Sequence, residues 1–143
     1  MTHDERCIQH FFSAKSFAVG GASNRRHKYG NKIFRRLKHV FPTVIPLNPI
    51  ETVVEGCLAY PNLAEIPFVP ASLCLVTPPE VTHRLAKEAV SLGVKNLWIQ
   101  PGAENKDVKE LIKKSDVNFI GDGRCILIEL EKAGFDKVTF TAG

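Results

Sequence analysis

Gly20-Gly21-Ala22-Ser23, followed by Arg25, Arg26 and Lys28, is the stretch whose residue types and spacing best define a chemistry. Two adjacent glycines carry no side chain, so main-chain N–H groups there can approach an anion closely. Ala22 keeps the turn narrow and Ser23 adds a hydroxyl donor. A helix starting after such a turn points its positive end at the same place, and the three cations neutralise further charge. The expected ligand is a diphosphate. The dinucleotide fingerprint G-x-G-x-x-G is incomplete, because Arg25 stands where its third glycine would be. Recognition of NAD also needs a carboxylate near the end of the second strand, where this chain has the neutral Asn48. A ligand with a further phosphate suits the local charge better. Two cofactors qualify: NADP, or coenzyme A with its 3′-phosphate.

Three more segments have the small, polar or proline-rich make-up of strand-end loops: Asn48-Pro49, Thr77-Pro78-Pro79 and Gln100-Pro101-Gly102. No catalytic group assembles from the sequence. Ser23 has no evident His and Asp partners, and His27, His39 and His83 fall on polar loops or faces. Cys125 precedes a predicted helix, a location that can lower a thiol's pKa and from which it could form a mixed disulfide with the thiol of coenzyme A. A packed structural cysteine is the simpler reading. The four cysteines, Cys7, Cys57, Cys74 and Cys125, include no CxxC pair, so no metal site is expected and mostly buried, reduced thiols are.

The elements that must position these residues follow from periodicity. Ser16 to Val19, Thr43 to Leu47, Ser72 to Val76, Lys95 to Ile99 and Val117 to Ile120 read as strands. Continuous apolarity in Ser72 to Val76 means both faces are covered, as in a parallel sheet. Between them, Lys32 to Phe41 is a helix with Ile33, Phe34, Leu37, Val40 and Phe41 on one face and cations on the other, ended by Pro42. A helix after Thr77 is expected to use Thr77 as N-cap with Glu80 completing a capping box, to turn Val81, Leu85, Ala89 and Val90 inward, and to end at Gly93. Asn105 to Ser115 is a third helix, and a closing helix starts near Cys125. Glu51 to Tyr60 is read as a short helix and a short strand, and Pro61 to Pro70 as a connection with one helical turn. Alternation of strand and helix predicts an α/β, Rossmann-like fold: a roughly five-stranded parallel sheet with helices on both faces. One domain over 1–143 is expected, with a leading helix or arm over 1–13 and a loose tail over 135–143.

The 143 residues carry a formal charge of +4, distributed unevenly. Arg6 to Ile50 contains nine Lys and Arg and no Asp or Glu. A cationic third of this kind attracts phosphate. A nucleic-acid-binding protein using residues 25–38 is a weaker reading, since no helix-turn-helix, RRM or KH signature accompanies the charge and the aromatics Phe34 and Phe41 fall on the apolar face. No apolar run approaches the roughly 18–20 residues that span a bilayer, and no secretory signal pattern opens the chain, so a cytoplasmic location is expected.

Taken in order, Val19-Gly20-Gly21-Ala22-Ser23, Lys28-Tyr29-Gly30-Asn31, Ile45-Pro46-Leu47-Asn48-Pro49, Val76-Thr77-Pro78-Pro79, Leu97-Trp98-Ile99-Gln100-Pro101-Gly102 and Gly123-Arg124-Cys125 resemble the small stand-alone CoA-binding domain proteins, which are similar to the N-terminal domain of the succinyl-CoA synthetase α subunit. The resemblance covers about Phe12 to Leu130. It implies coenzyme A or an acyl-CoA held across the strand ends. Gly20 to Ser23 would hold the pyrophosphate, with Arg25 and Lys28 near phosphate and Asn48 and Pro49 beside the adenosine. Thr77 and Pro78 would form the next wall, and Gln100 and Gly102 the far edge. The family often has a basic residue after the Asn-Pro, where this chain has Ile50. A binding, carrier or sensor module without catalysis of its own is the first expectation; an NADP-dependent small oxidoreductase is the alternative.

Overall fold

The computed structural model describes residues 1–135. Five parallel strands form the main sheet: β1 (Phe17–Gly20), β2 (Val44–Leu47), β5 (Ser72–Leu75), β6 (Asn96–Ile99) and β7 (Asn118–Ile120). Two further strands, β3 (Val53–Val54) and β4 (Cys57–Leu58), pair as a separate antiparallel hairpin. The sheet order is β2-β1-β5-β6-β7, with Gly20 level with Leu47 on one side and Leu75 on the other. The helices are α1 (His3–Phe12), α2 (Tyr29–Val40), α3 (Pro79–Leu92), α4 (Lys106–Lys113) and α5 (Ile126–Lys132).

Side chains alternate across a strand, and here both faces are apolar. Phe17, Val19, Cys74, Trp98 and Ile120 point to one layer, where they meet Phe11 and Phe12 of α1, Ile33, Phe34 and Leu37 of α2, and Ile126 and Leu130 of α5. Ala18, Leu73, Leu75, Leu97 and Ile99 point to the other, against Leu85, Ala86 and Ala89 of α3 and Val108 and Ile112 of α4. The expected doubly covered, Rossmann-like sheet is the observed architecture.

Local details meet the sequence reading at some points, the leading helix and the Gly93 cap among them, and depart from it at others. The N-terminal residues form a helix with a capping box between Thr2 and Glu5. Phe11 and Phe12 at its end are buried, Phe11 with its ring 5.2 Å from that of Trp98. Residues 51–60 hold the β3–β4 hairpin and no helix; the connection after it makes one 3₁₀ turn, Leu63–Glu65, as expected. Helix α2 starts at Tyr29, three residues earlier than its apolar period indicates. Thr77 does not cap α3: Pro78 occupies the N-cap position and no side-chain capping bond is made. The Thr77 hydroxyl instead lies 2.7 Å from that of Thr82, which also donates to the Thr77 carbonyl at 3.1 Å. The fully buried residues of α3 are Thr82, Leu85, Ala86 and Ala89; Val81 and Val90 are only partly covered. Gly93 ends the helix in the left-handed conformation, φ +86°. Of the cysteines only Cys74 is fully buried, which pushes its thiol pKa up; the other three are partly exposed. The proposed loose tail falls outside the described residues except for Phe135, whose ring packs against Phe12 and Phe41.

Candidate functional site at the strand ends

The strand order reverses direction between β1 and β5. The helix after β1 packs on one face and the helix after β5 on the other, so the two exit loops separate and leave a crevice. A cleft of about 760 Å³ occupies this place.

The glycine turn is shaped by close approach. Gly21 has φ +89°, and a Cβ on it would strike the Val76 carbonyl oxygen. A Cβ on Gly30 would overlap the carbonyl oxygen of Gly21. Close helix–strand contact is the task of the third glycine in the dinucleotide fingerprint; here Gly30 performs it, beyond a loop that the usual spacing does not contain. The start of α2 lies directly on the turn as a result. Its N-cap, Lys28, makes no side-chain capping bond, and its first turn holds no acidic residue. The Gly21 N–H is spent on the Leu47 carbonyl (3.2 Å), whereas the amides of Ser23, Asn24, Tyr29 and Gly30 find no acceptor among the described residues. Such a set of donors, at a helix's positive end, is suited to an anion.

Three asparagines hold this arrangement. Asn48 donates to the Ala22 carbonyl (2.9 Å) and accepts from the N–H groups of Ile50 and Glu51 (both 2.8 Å), so its amide organises two loops at once. Asn31, fully buried, donates to the Ser23 carbonyl (2.7 Å) and to Glu55 (2.8 Å). Asn24 donates to the Val53 carbonyl (2.8 Å) and accepts from the Glu55 N–H (2.9 Å). The Ser23 hydroxyl accepts from the Arg25 N–H at 3.0 Å. Arg26 is turned away from the cleft into a 2.9 Å ion pair with Glu55. Hydrogen bonds from Arg26 and Asn31 hold the Glu55 carboxyl below the usual carboxylate range.

Eight of the twelve residues singled out from sequence line the cleft: Gly21, Ser23, Arg25, Lys28, Asn48, Pro49, Thr77 and Pro78. Gly20, the last residue of β1, and Ala22 in the turn do not line it; both are buried. Gln100 and Gly102 belong to another place. The buried Gln100 side chain accepts from the Ile126 N–H (2.7 Å) and donates to Cys125 Sγ (3.4 Å), which joins the loop after β6 to the start of α5. Gly102 takes a positive φ of +88° in an open turn. Several lining residues were missed: Asn24, His27, Tyr29, Gly30, Ile50, Glu51, Pro61, Val81 and Arg84 among them. A signal existed for Arg84, which stands three residues after Val81 on the same helical face. Glu51 places a carboxylate on the rim, three residues beyond the position where sequence reading looked for one.

The cleft therefore combines a donor-rich, cationic lining from Ser23, Arg25, Lys28 and the start of α2 with apolar lining from Leu47, Pro49, Ile50, Pro61, Val81 and Leu85. Among the described residues no group of three His, Cys, Asp or Glu side chains is placed to hold a metal, and no helix is long and apolar enough to cross a membrane.

A doubly wound parallel sheet with an anion-receptive cleft at its switch point defines the class. The chain belongs to the CoA binding domain family, whose model matches residues 15–131. It is 32% identical over 125 residues to the α subunit of the ADP-forming acetate–CoA ligase II of Pyrococcus furiosus, covering 80% of this chain and 27% of that one. It is 25% identical over 136 residues to the ADP-forming acetate–CoA ligase I of Archaeoglobus fulgidus, covering 88% of this chain and 20% of that one. The chain thus spans about a quarter of the length of these curated relatives. Among solved structures, a conserved hypothetical protein of Pyrococcus furiosus is 39% identical with a TM-score of 0.74, over 80% of this chain and 98% of its own. A hypothetical protein of Pyrococcus horikoshii is 25% identical with a TM-score of 0.83, over 92% of each chain.

Proposed function

We propose that the chain binds coenzyme A or an acyl-CoA in the cleft between β1 and β5, as a binding, carrier or sensor module without catalysis of its own. The diphosphate lies against the main chain from Gly21 to Asn24 and the first turn of α2, with Arg25, Lys28 and Arg84 supplying positive charge. The adenosine lies beside Asn48, Pro49 and Ile50. The observation that carries this reading is the uncapped start of α2, seated on Gly21 through Gly30, in a chain of the CoA binding domain family. The cleft's N–H donors and the cations Arg25, Lys28 and Arg84 are suited to holding an anion.

Thermal-shift titration with coenzyme A, acetyl-CoA, NADPH and NADH tests it. A ligand that binds only the folded state adds about 2.7 kcal/mol at a hundredfold excess over Kd, a Tm rise of several degrees for a domain of this size. A rise with coenzyme A and acetyl-CoA, and none with the nicotinamide cofactors, is the expected result. A rise with NADPH alone transfers the site to the alternative, NADP-dependent reading.

A further inference from the structure

Glu55 holds a φ of +47°, one of two residues other than glycine with positive φ among those described. With Gly56 (φ +78°) it forms the two-residue turn between β3 and β4. Turns of this kind need left-handed backbone at both central positions, which Asn, Asp and Gly accept most readily. A glutamate there sits in backbone territory that long side chains avoid. The hairpin it closes adds little to the core: of its four strand residues only Val54 is fully buried, while Val53 and Leu58 are exposed.

What the hairpin does make is a set of bonds to the glycine loop. The Glu55 side chain is 17% exposed; its Oε1 accepts from Arg26 Nη2 at 2.9 Å, and its Oε2 from Asn31 Nδ2 at 2.8 Å and from Arg26 Nε at 3.4 Å. Its main-chain N–H donates to Asn24, whose side chain returns a bond to Val53. Asn24, Arg26 and Asn31, three residues of one loop and the helix start it feeds, all close on one hairpin tip. Asn31 extends the connection, since it also donates to the Ser23 carbonyl and accepts from Arg35 Nε at 2.7 Å.

From this arrangement we infer that Glu55 is a positioning residue for the cleft: the hairpin tip locks the segment from Asn24 to Asn31 so that the amides of Ser23, Asn24 and the first turn of α2 face the ligand while Arg26 is kept out of it. The backbone strain at Glu55 is offset by the bonds its carboxylate accepts from both Arg26 and Asn31. The ligand half of the inference rests on the coenzyme A reading; the lock itself is a property of the ligand-free protein.

The test uses the full chain with Glu55→Gly, Glu55→Ala and Glu55→Gln, reading Tm, amide hydrogen exchange over residues 23–31 without ligand, and calorimetric titration with coenzyme A. Glycine relieves the positive φ, so Glu55→Gly is expected to keep or raise Tm. It is also expected to speed exchange across residues 23–31 and to weaken coenzyme A binding by about tenfold, the scale of a lost charge-assisted hydrogen bond. Glu55→Gln retains an acceptor oxygen and is expected to recover part of that affinity, with Glu55→Ala the weakest and least stable of the three. A residue with a merely structural role would change affinity only in step with Tm. Wild-type exchange over residues 23–31 in Glu55→Gly would overturn the lock. Faster exchange with unchanged coenzyme A affinity in Glu55→Gly and Glu55→Ala would overturn the positioning role. Failure of the wild type to bind coenzyme A would remove the reading of the site, and the exchange data would still decide the lock.

Discussion

The carboxyl edge of the sheet has two halves built from similar residues that do opposite things. After β6 and β7 the loops close on themselves. Gln100 spends both ends of its amide on α5 and Cys125, the Trp98 indole donates to the Arg124 carbonyl at 3.0 Å, and Asn105 caps α4 through the Val108 N–H. After β1 and β2 the asparagine side chains also bond internally, Asn48 to the Ala22 carbonyl and Asn31 to the Ser23 carbonyl among others, but the main-chain amides of Ser23, Asn24, Tyr29 and Gly30 stay unspent among the described residues. Arg25, Lys28 and Arg84 add charge there with no ion pair among the described residues. A loop that satisfies its own polar groups is architecture; one that holds them open at fixed positions has the capacity to bind.

The largest effect that would break this contrast comes from Gly30→Val. The added carbons overlap the Gly21 carbonyl, and the helix must move off the turn. Urea denaturation is expected to show a loss of about 3 kcal/mol, the upper part of the overpacking range, with coenzyme A binding lost in calorimetry. Next, the double variant Arg25→Ala, Lys28→Ala is expected to keep wild-type Tm and to lose roughly ten- to a hundredfold in affinity, a penalty that shrinks in half-molar salt because both side chains are exposed. Equal losses at low and high salt would deny these cations a role at the phosphate. Gln100→Ala sharpens the contrast from the closed side. It leaves the buried Ile126 N–H unpaired, so a stability loss of about 1–3 kcal/mol is expected with coenzyme A affinity unchanged. The smallest effect is the pH response of the Glu55 clamp. Its carboxyl pKa is lowered from the ordinary 4.5 by bonds from Arg26 and Asn31. Its contribution is therefore complete above that value and is lost as pH falls through the lowered one. Lys32, Arg35, Arg36, Lys38 and His39 lie around it, and Glu55 is the one carboxylate among them. Exchange over residues 23–31 should be level, after correction for its intrinsic pH dependence, from pH 7 to 5 and should rise below about pH 4.5, with Glu55→Gln showing no such step.

Sequence order made the sheet legible because each main strand is a short apolar run ended by glycine, proline or asparagine, and Gly93 marks its helix end as expected. The glycine turn and its cations were legible for the same local reason. Other features depend on partners distant in the chain. The 3–12 segment has little periodic signal of its own; Phe11 and Phe12 become core residues only against Trp98, Phe17 and Phe41. The β3–β4 strands, two residues each, are too short for alternation to register. Gln100 has the composition of a ligand-facing residue, and only the position of α5 decides that it faces inward. Arg26 looks equivalent to Arg25 and Lys28 until the hairpin tip takes it.

Gly30 stands nine positions after Gly21, so a pattern search that fixes the interval between the first and last glycine passes over this chain although the contact those glycines make is present. The contact binds only the two ends. Between them Arg26 is held by Glu55, so Arg25, His27 and Lys28 are the residues that can change while the cradle endures, which makes them the natural place to graft a preference for a different nucleotide onto an unaltered scaffold.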